Sequence, residues 1–224
     1  MSPEPRGLAI FDMDGVLTGH VSSWKAVCDY LGVDNRKNLE AYRSGGITYE
    51  EFMKRDIALW KEAKADISRS DIEGIMQKIP IIQHIPETVS YLHDSGIVTA
   101  IVSGGLSDLS RIVSMKAGFD HVYSNPLHYD QQGLLINRAE PVVIPNRKNI
   151  IVSTIQEREG IPVERTVGVG DSIIDLSMFR KCGKSIAFNL TDERIRQYSD
   201  MVIVSDSLMD VGFAINALIR EVTS

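Results

Sequence analysis

Short apolar runs recurring along the chain, with helical spacing between them, restrict the fold more than any other feature. Leu8-Ala9-Ile10-Phe11 is the first, and Ile97 to Val102, Thr166 to Val169, Ser185 to Phe188 and Met201 to Val204 follow. Each is β-branched or apolar without clean alternation, as expected of a strand buried on both faces. Between and after them the apolar spacing predicts helices over 86–94, 107–118, 147–159, 172–181 and 207–220. Strand–helix alternation of this kind predicts an α/β fold, a doubly wound parallel sheet wrapped by helices. The rhythm breaks twice. Between Val16 and Ile85 no strand is expected, only helices near 22–31, 35–43, 49–62 and 69–77, punctuated by Gly45-Gly46 and Pro80. This predicts a small helical lobe over 18–84, inserted after the first strand of a core made of 1–17 and 85–224. From Val122 to Ile136, Asn125-Pro126 and Gly133 flank short strand-like pieces, and a β-hairpin excursion is expected there.

Composition narrows the partners. With 43% hydrophobic and 24% charged residues over 224 positions, the chain is no disordered segment and is long enough to bury a core unaided. A net charge of −6 and a pI near 5.4 argue against nucleic acid or an anionic membrane as partner, since both need clustered Lys and Arg. No apolar run approaches the roughly 20 residues of a membrane span. The opening MSPEPRGLAIFDMDG reaches Asp12 too early for a secretory apolar region, so a soluble, cytoplasmic protein is expected. Cys28 and Cys182 form no CxxC pair and are expected to be free thiols.

Ligands of such sheets sit beyond the carboxyl ends of the strands. Asp12 and Asp14 fall there, as do Ser103-Gly104-Gly105, Gly170-Asp171 and, just after, Asp175. Clustered carboxylates repel one another unless a cation sits among them, and an oxygen-only set suits Mg²⁺ better than zinc. Ser103-Gly104-Gly105 ends a strand and opens a helix, so its amides, hydroxyl and helix dipole make a place for phosphate. Lys148 opens a later helix and supplies a point charge. Four ionised carboxylates outweigh one Mg²⁺ and one lysine, so protonating one Asp would ease phosphate entry and provide a general acid.

In order and spacing, Asp12-Met13-Asp14-Gly15-Val16, the Ser103-Gly104 turn, Lys148, and Gly170-Asp171 with Asp175 resemble the four motifs of the haloacid dehalogenase superfamily. The helical insertion resembles the cap of its phosphoserine phosphatase type, as does SGGITYEEFMKRDIALW within it. The resemblance implies a Rossmann-like core with Asp12 as nucleophile and Asp14 as general acid/base. It implies Mg²⁺ bound by the Asp12 side chain, the Asp14 carbonyl and Asp171. Ser103, the Gly104 amide and Lys148 would hold phosphate, and Asp175 would orient metal-bound water or Lys148. Arg55 would meet a substrate carboxylate. The sequence departs from that type at Val21, where a Glu would face a substrate ammonium, at Ile174 in place of an Asn, and at Leu106 in place of an aromatic.

Simpler readings are available for single residues. Asp-Gly is a common turn pair, Arg55 shares a helical side with Phe52, Ala58 and Leu59 and so could snorkel, and Trp24 and Trp60 suit packing. The histidines form no ligand pair. Gly168-Val169-Gly170 lacks the third glycine of a dinucleotide loop. The expectation is a Mg²⁺-dependent phosphomonoesterase that acts on a small soluble metabolite through an aspartyl-phosphate. The lid would swing on Gly19 and Ile85-Pro86. A phosphotransferase or mutase with the same intermediate, and a non-catalytic phospho-acceptor module, are the alternatives.

Overall fold

The computed structural model describes residues 6–19 and 22–223; Val21, the expected neighbour of a substrate ammonium, lies outside the described residues. Among them six strands form one parallel sheet in the order β3-β2-β1-β4-β5-β6. They are β1 (Gly7–Phe11), β2 (Ile97–Leu106), β3 (His121–Asn125), β4 (Thr166–Gly170), β5 (Lys184–Phe188) and β6 (Met201–Ile203). Helices α1 (Ser23–Leu31), α2 (Arg36–Arg43), α3 (Tyr49–Ala63) and α4 (Arg69–Met76) come between β1 and β2, followed by α5 (Ile85–Asp94). Then come α6 (Ser107–Ala117), α7 (Lys148–Glu159), α8 (Leu176–Phe179) and α9 (Met209–Thr223). No helix of the described residues is long and apolar enough to cross a membrane.

The two-residue period of β1 divides the core. Leu8 and Ile10 pack with Ala100, Val102, Val152 and Met178 on one face. Ala9 and Phe11 pack with Val89, Leu109, Val113 and Ile215 on the other. All four β1 side chains are fully buried, Leu8, Ile10 and Phe11 each worth about 1.5–3 kcal/mol. That two-sided burial explains why the run shows no polar alternation.

Three elements depart from expectation. His121–Asn125 is no hairpin arm but β3, a strand parallel to β2 at the sheet edge. Only the following stretch turns back, through a Tyr129–Leu135 antiparallel bridge around Gly133. β2 runs on through Ser103-Gly104-Gly105 to Leu106, with a register shift after Val102. The helix expected over 172–181 is a 3-10 turn, Ile173–Asp175, and one α-helical turn, because the Asp175 carboxylate takes the Asp171 and Ser172 amides at the start.

Within the helical insertion Trp24 stacks on Trp60 and Phe52 on Tyr49, in a cluster continuous with the Ala9 and Phe11 face of the sheet. α2 buries none of its residues. Its Leu39 and Tyr42 pack partly buried against the core, and the Asn35 and Asn38 amides donate to the buried Asp56 of α3 at 2.6 and 2.8 Å. Burial pushes the Asp56 carboxyl up to about 6 even so. The outgoing and returning chains pair through Gly19 N–H to Pro80 C=O at 2.8 Å and Ile82 N–H to Leu17 C=O at 3.1 Å.

Candidate active site

Sheet order reverses at β1, whose two neighbours are β2 and β4, and the candidate residues cluster at the carboxyl ends of these three strands. Asp12 follows β1 directly, its amide donating to Val169 of β4 at 2.9 Å. Its Oδ1 accepts the Met13 amide at 2.7 Å, and Lys148 Nζ lies 2.8 Å from its Oδ2. Lys148 is 1% exposed and also reaches Asp175 Oδ1 at 2.6 Å. Burial alone would depress the lysine, but Asp12 and Asp175 together hold it above its usual value, so it is a cation. The other Asp175 oxygen accepts the Asp171 amide at 3.0 Å and the Ser172 amide at 3.3 Å.

Asp171 ends the GVGD turn. Its Oδ2 accepts the Thr191 hydroxyl, and the Thr191 amide returns to the Asp171 carbonyl at 2.9 Å. Opposite it, Gly15 has a φ of +84°, and a Cβ there would lie 2.6 Å from Asp171 Oδ2. The glycine of Asp-Met-Asp-Gly thus turns the chain and leaves room for the carboxylate.

Asp14 is partly buried behind Asp12. Its Oδ2 accepts both the amide and the hydroxyl of Ser23 at 2.9 Å. Burial chiefly, with the Asp12 charge adding to it, pushes its carboxyl up to about 7. Burial likewise raises Asp171, with help from Asp175 and Asp12. Asp175 is raised by burial despite the lysine beside it.

The phosphate-loop candidates are held as tightly. Ser103 is 1% exposed, and its Oγ accepts the Gly105 amide at 3.1 Å. The Gly104 carbonyl accepts three donors: Tyr49 Oη at 2.6 Å, Asn125 Nδ2 at 2.9 Å and Trp24 Nε1 at 3.2 Å. Its peptide is therefore anchored from its carbonyl side by two residues of the insertion and one of β3. Asn125 is fully buried; besides Gly104 it donates to Val143 C=O and accepts from the Val142 and Val143 amides. Asn125, expected only to flank a strand-like piece, is thus a buried hydrogen-bonding hub, and nothing local in the sequence marks Ser23, Tyr49 or Thr191.

The structure thus brings Asp12, Asp14, Asp171, Asp175 and Lys148 together, with Ser103-Gly104 on the adjacent strand. Oxygens of Asp12, Asp171 and Asp175 lie within 4.8 Å of one another. A buried, oxygen-only trio of carboxylates suits a hard divalent cation. Asp175, expected to support the metal from behind, stands within this trio, but both its oxygens are already engaged. Arg55 is paired at the surface of α3. Its side chain is 47% exposed and lies on Glu51 at 2.9 Å, one turn back along α3. The buried stripe of α3 is Tyr49, Phe52, Met53, Asp56, Ile57 and Trp60. Arg55 lies roughly 120° round the helix from the middle of that stripe, at ~100° per residue.

A carboxyl raised in the folded state binds its proton more tightly folded than unfolded. Its contribution is complete below the unfolded value, 3.8, and is lost as pH rises through the folded one, about 7 for Asp14. In cation-free buffer the melting temperature is therefore expected to fall from about pH 5 to about pH 8. Millimolar Mg²⁺ should lessen that fall by binding the Asp12 and Asp171 carboxylates. A melting temperature flat over this interval without cation would contradict the carboxylate cluster.

A family model for haloacid dehalogenase-like hydrolase matches residues 9–180. A phosphoserine phosphatase of Methanocaldococcus jannaschii is 28% identical over 91% of this chain and 95% of its own. One from Archaeoglobus fulgidus is 30% identical over 92% of this chain, which spans 58% of that longer protein. Among solved structures, a substrate-bound phosphoserine phosphatase complex superposes with a TM-score of 0.76 at 28% identity, covering 92% of this chain and 96% of that one. A phospho-aspartyl intermediate analogue of phosphoserine phosphatase gives 0.75 at the same identity and coverage.

Proposed function

Because the chain belongs to the haloacid dehalogenase-like hydrolase family and is a phosphatase, we propose that it hydrolyses a small soluble phosphomonoester through an aspartyl-phosphate on Asp12. The observation that carries this reading is the convergence of Asp12 after β1, Asp171 and Asp175 after β4 and Lys148 at the start of α7, with Asp14 held beside them. Asp12, Asp171 and the Asp14 carbonyl would hold Mg²⁺, which when bound would neutralise charge on the phosphoryl group.

The chain's own residues do the rest. Lys148 and Ser103, with the Gly104 amide, hold the phosphate oxygens. An Asp12 oxygen forms a bond to phosphorus as the ester P–O bond breaks, and Asp14 gives its proton to the departing oxygen. Water then attacks the aspartyl-phosphate. Asp14 takes the water's proton, the Asp12–phosphorus bond breaks, and inorganic phosphate leaves with both carboxyls restored. A value near 7 leaves Asp14 able to serve as acid and then as base near neutrality. Residues 18–84 act as a cap that limits the substrate to a small molecule and excludes water from the closed site.

The test is a panel of small phosphomonoesters, phosphoserine and phosphoglycolate included, assayed with Mg²⁺ and after exhaustive chelation, with Arg55→Ala alongside. Turnover is expected with Mg²⁺ alone, and full activity after chelation would sink the proposal. The exposed Glu51 pairing gives no support to a carboxylate contact by Arg55. KM is therefore expected to change less than about three-fold, with carboxylate-bearing and aryl phosphates responding alike. A selective rise for the carboxylate-bearing esters would restore the substrate contact.

A further inference from the structure

Ser23 is the first residue of α1, is fully buried, and makes three hydrogen bonds that join the chain after β1 to the end of β2. Its amide and its hydroxyl both donate to Asp14 Oδ2 at 2.9 Å. Its Oγ in turn accepts the Leu106 amide at 2.9 Å, which directs the hydroxyl hydrogen toward the carboxylate. A Cβ on residue 105 would lie 2.6 Å from Asp14 Oδ2 and 2.7 Å from Ser23 Oγ, so Gly105 is what lets the contact form. The other carboxylate oxygen, Asp14 Oδ1, is buried and has no hydrogen-bond partner among the described residues.

From this asymmetry we infer that Ser23 is the positioning residue for the Asp14 carboxyl, reserving Oδ1 as the atom that gives and takes the proton. Two N–H and O–H donors aimed at Oδ2 leave no room for a proton there, so a protonated Asp14 carries it on Oδ1. A carboxyl held by one oxygen and bare at the other has one orientation available. Pre-setting that orientation is part of what makes an acid effective at a fixed leaving group. The inference rests on the reading of Asp14 as general acid/base.

The experiment exploits leaving groups. An alkyl phosphate needs its departing oxygen protonated; 4-nitrophenyl phosphate does not. kcat/KM reports the phosphorylation half-reaction for both. Ser23→Ala is expected to lower kcat/KM for an alkyl phosphate roughly ten-fold or more, and for 4-nitrophenyl phosphate less than about three-fold. Ser23→Thr, which keeps the hydroxyl, should recover most of the alkyl rate. Equal losses on both esters, or no loss on either, in a variant with an unchanged melting temperature would overturn the inference. Should Ser23→Ala not fold, Ser23→Cys keeps the size while weakening the donor, and the same criteria apply. Asp14→Asn is the reference. If it does not separate the two esters, the acid/base reading of Asp14 fails; if it does and the Ser23 variants do not, the role given to Ser23 fails.

Discussion

Asp12→Asn is expected to abolish multiple turnover, by more than about a thousand-fold, while leaving the fold intact. The amide keeps the size of the carboxylate and an oxygen that can still face Lys148. It cannot form a stable acyl-phosphate, because an amide oxygen is a poor nucleophile and the product would be charged. Folding should not suffer. Asp12 is one of three carboxylates within 4.8 Å, and removing one charge lessens their mutual repulsion. Lys148 retains Asp175 Oδ1 at 2.6 Å. The cation-free melting temperature at about pH 8 is thus expected to stay level or rise. Measurable multiple turnover in this variant, with host phosphatases excluded, would refute the nucleophile.

How legible the site was in the sequence depended on whether a residue's role follows from its own position on the chain. Asp12 and Asp171 were legible because each follows an apolar run that can only be a buried strand, and parallel sheets put ligands at those ends. β3 was not, since HVYSN lies at the sheet edge, is paired on one side and carries no apolar run. Ser23 resembles any polar residue at a helix start. Its value comes from Asp14 and Leu106, which the fold brings to it from either side. Asn125 was not legible for a similar reason. Asn-Pro signals a turn locally, yet here the side chain is buried and satisfies backbone groups of Gly104, Val142 and Val143. Arg55 shows how a surface contact escapes local reading. Helical spacing put it near Phe52, but Glu51 one turn away offers a solvent-exposed partner, and nothing local reveals which neighbour wins.

Lys148 carries the largest stability effect. It is the fully buried cation of the cluster, and it lies within 2.8 Å of Asp12 and 2.6 Å of Asp175. Lys148→Met preserves the volume and apolar stem but leaves those carboxyls facing each other without a counter-charge. Breaking a buried pair from one side costs about 3–5 kcal/mol, a large share of the 5–15 kcal/mol a domain of ordinary stability possesses. The cost must depend on pH. Without the lysine Asp175, already raised by burial, rises further, so the variant can fold with that carboxyl protonated, an option open at low pH and closed as pH rises. The destabilisation is thus expected to be largest at about pH 8 in chelator and to shrink toward about pH 5. Adding Asp175→Asn should recover part of it, because the second change removes the charge the first left stranded. Urea unfolding at both pH values reads all of this directly. A Lys148→Met variant as stable as the parent at the higher pH would mean that the carboxylates share protons among themselves. The lysine would then matter only for holding phosphate, and the variant's loss would appear in turnover alone.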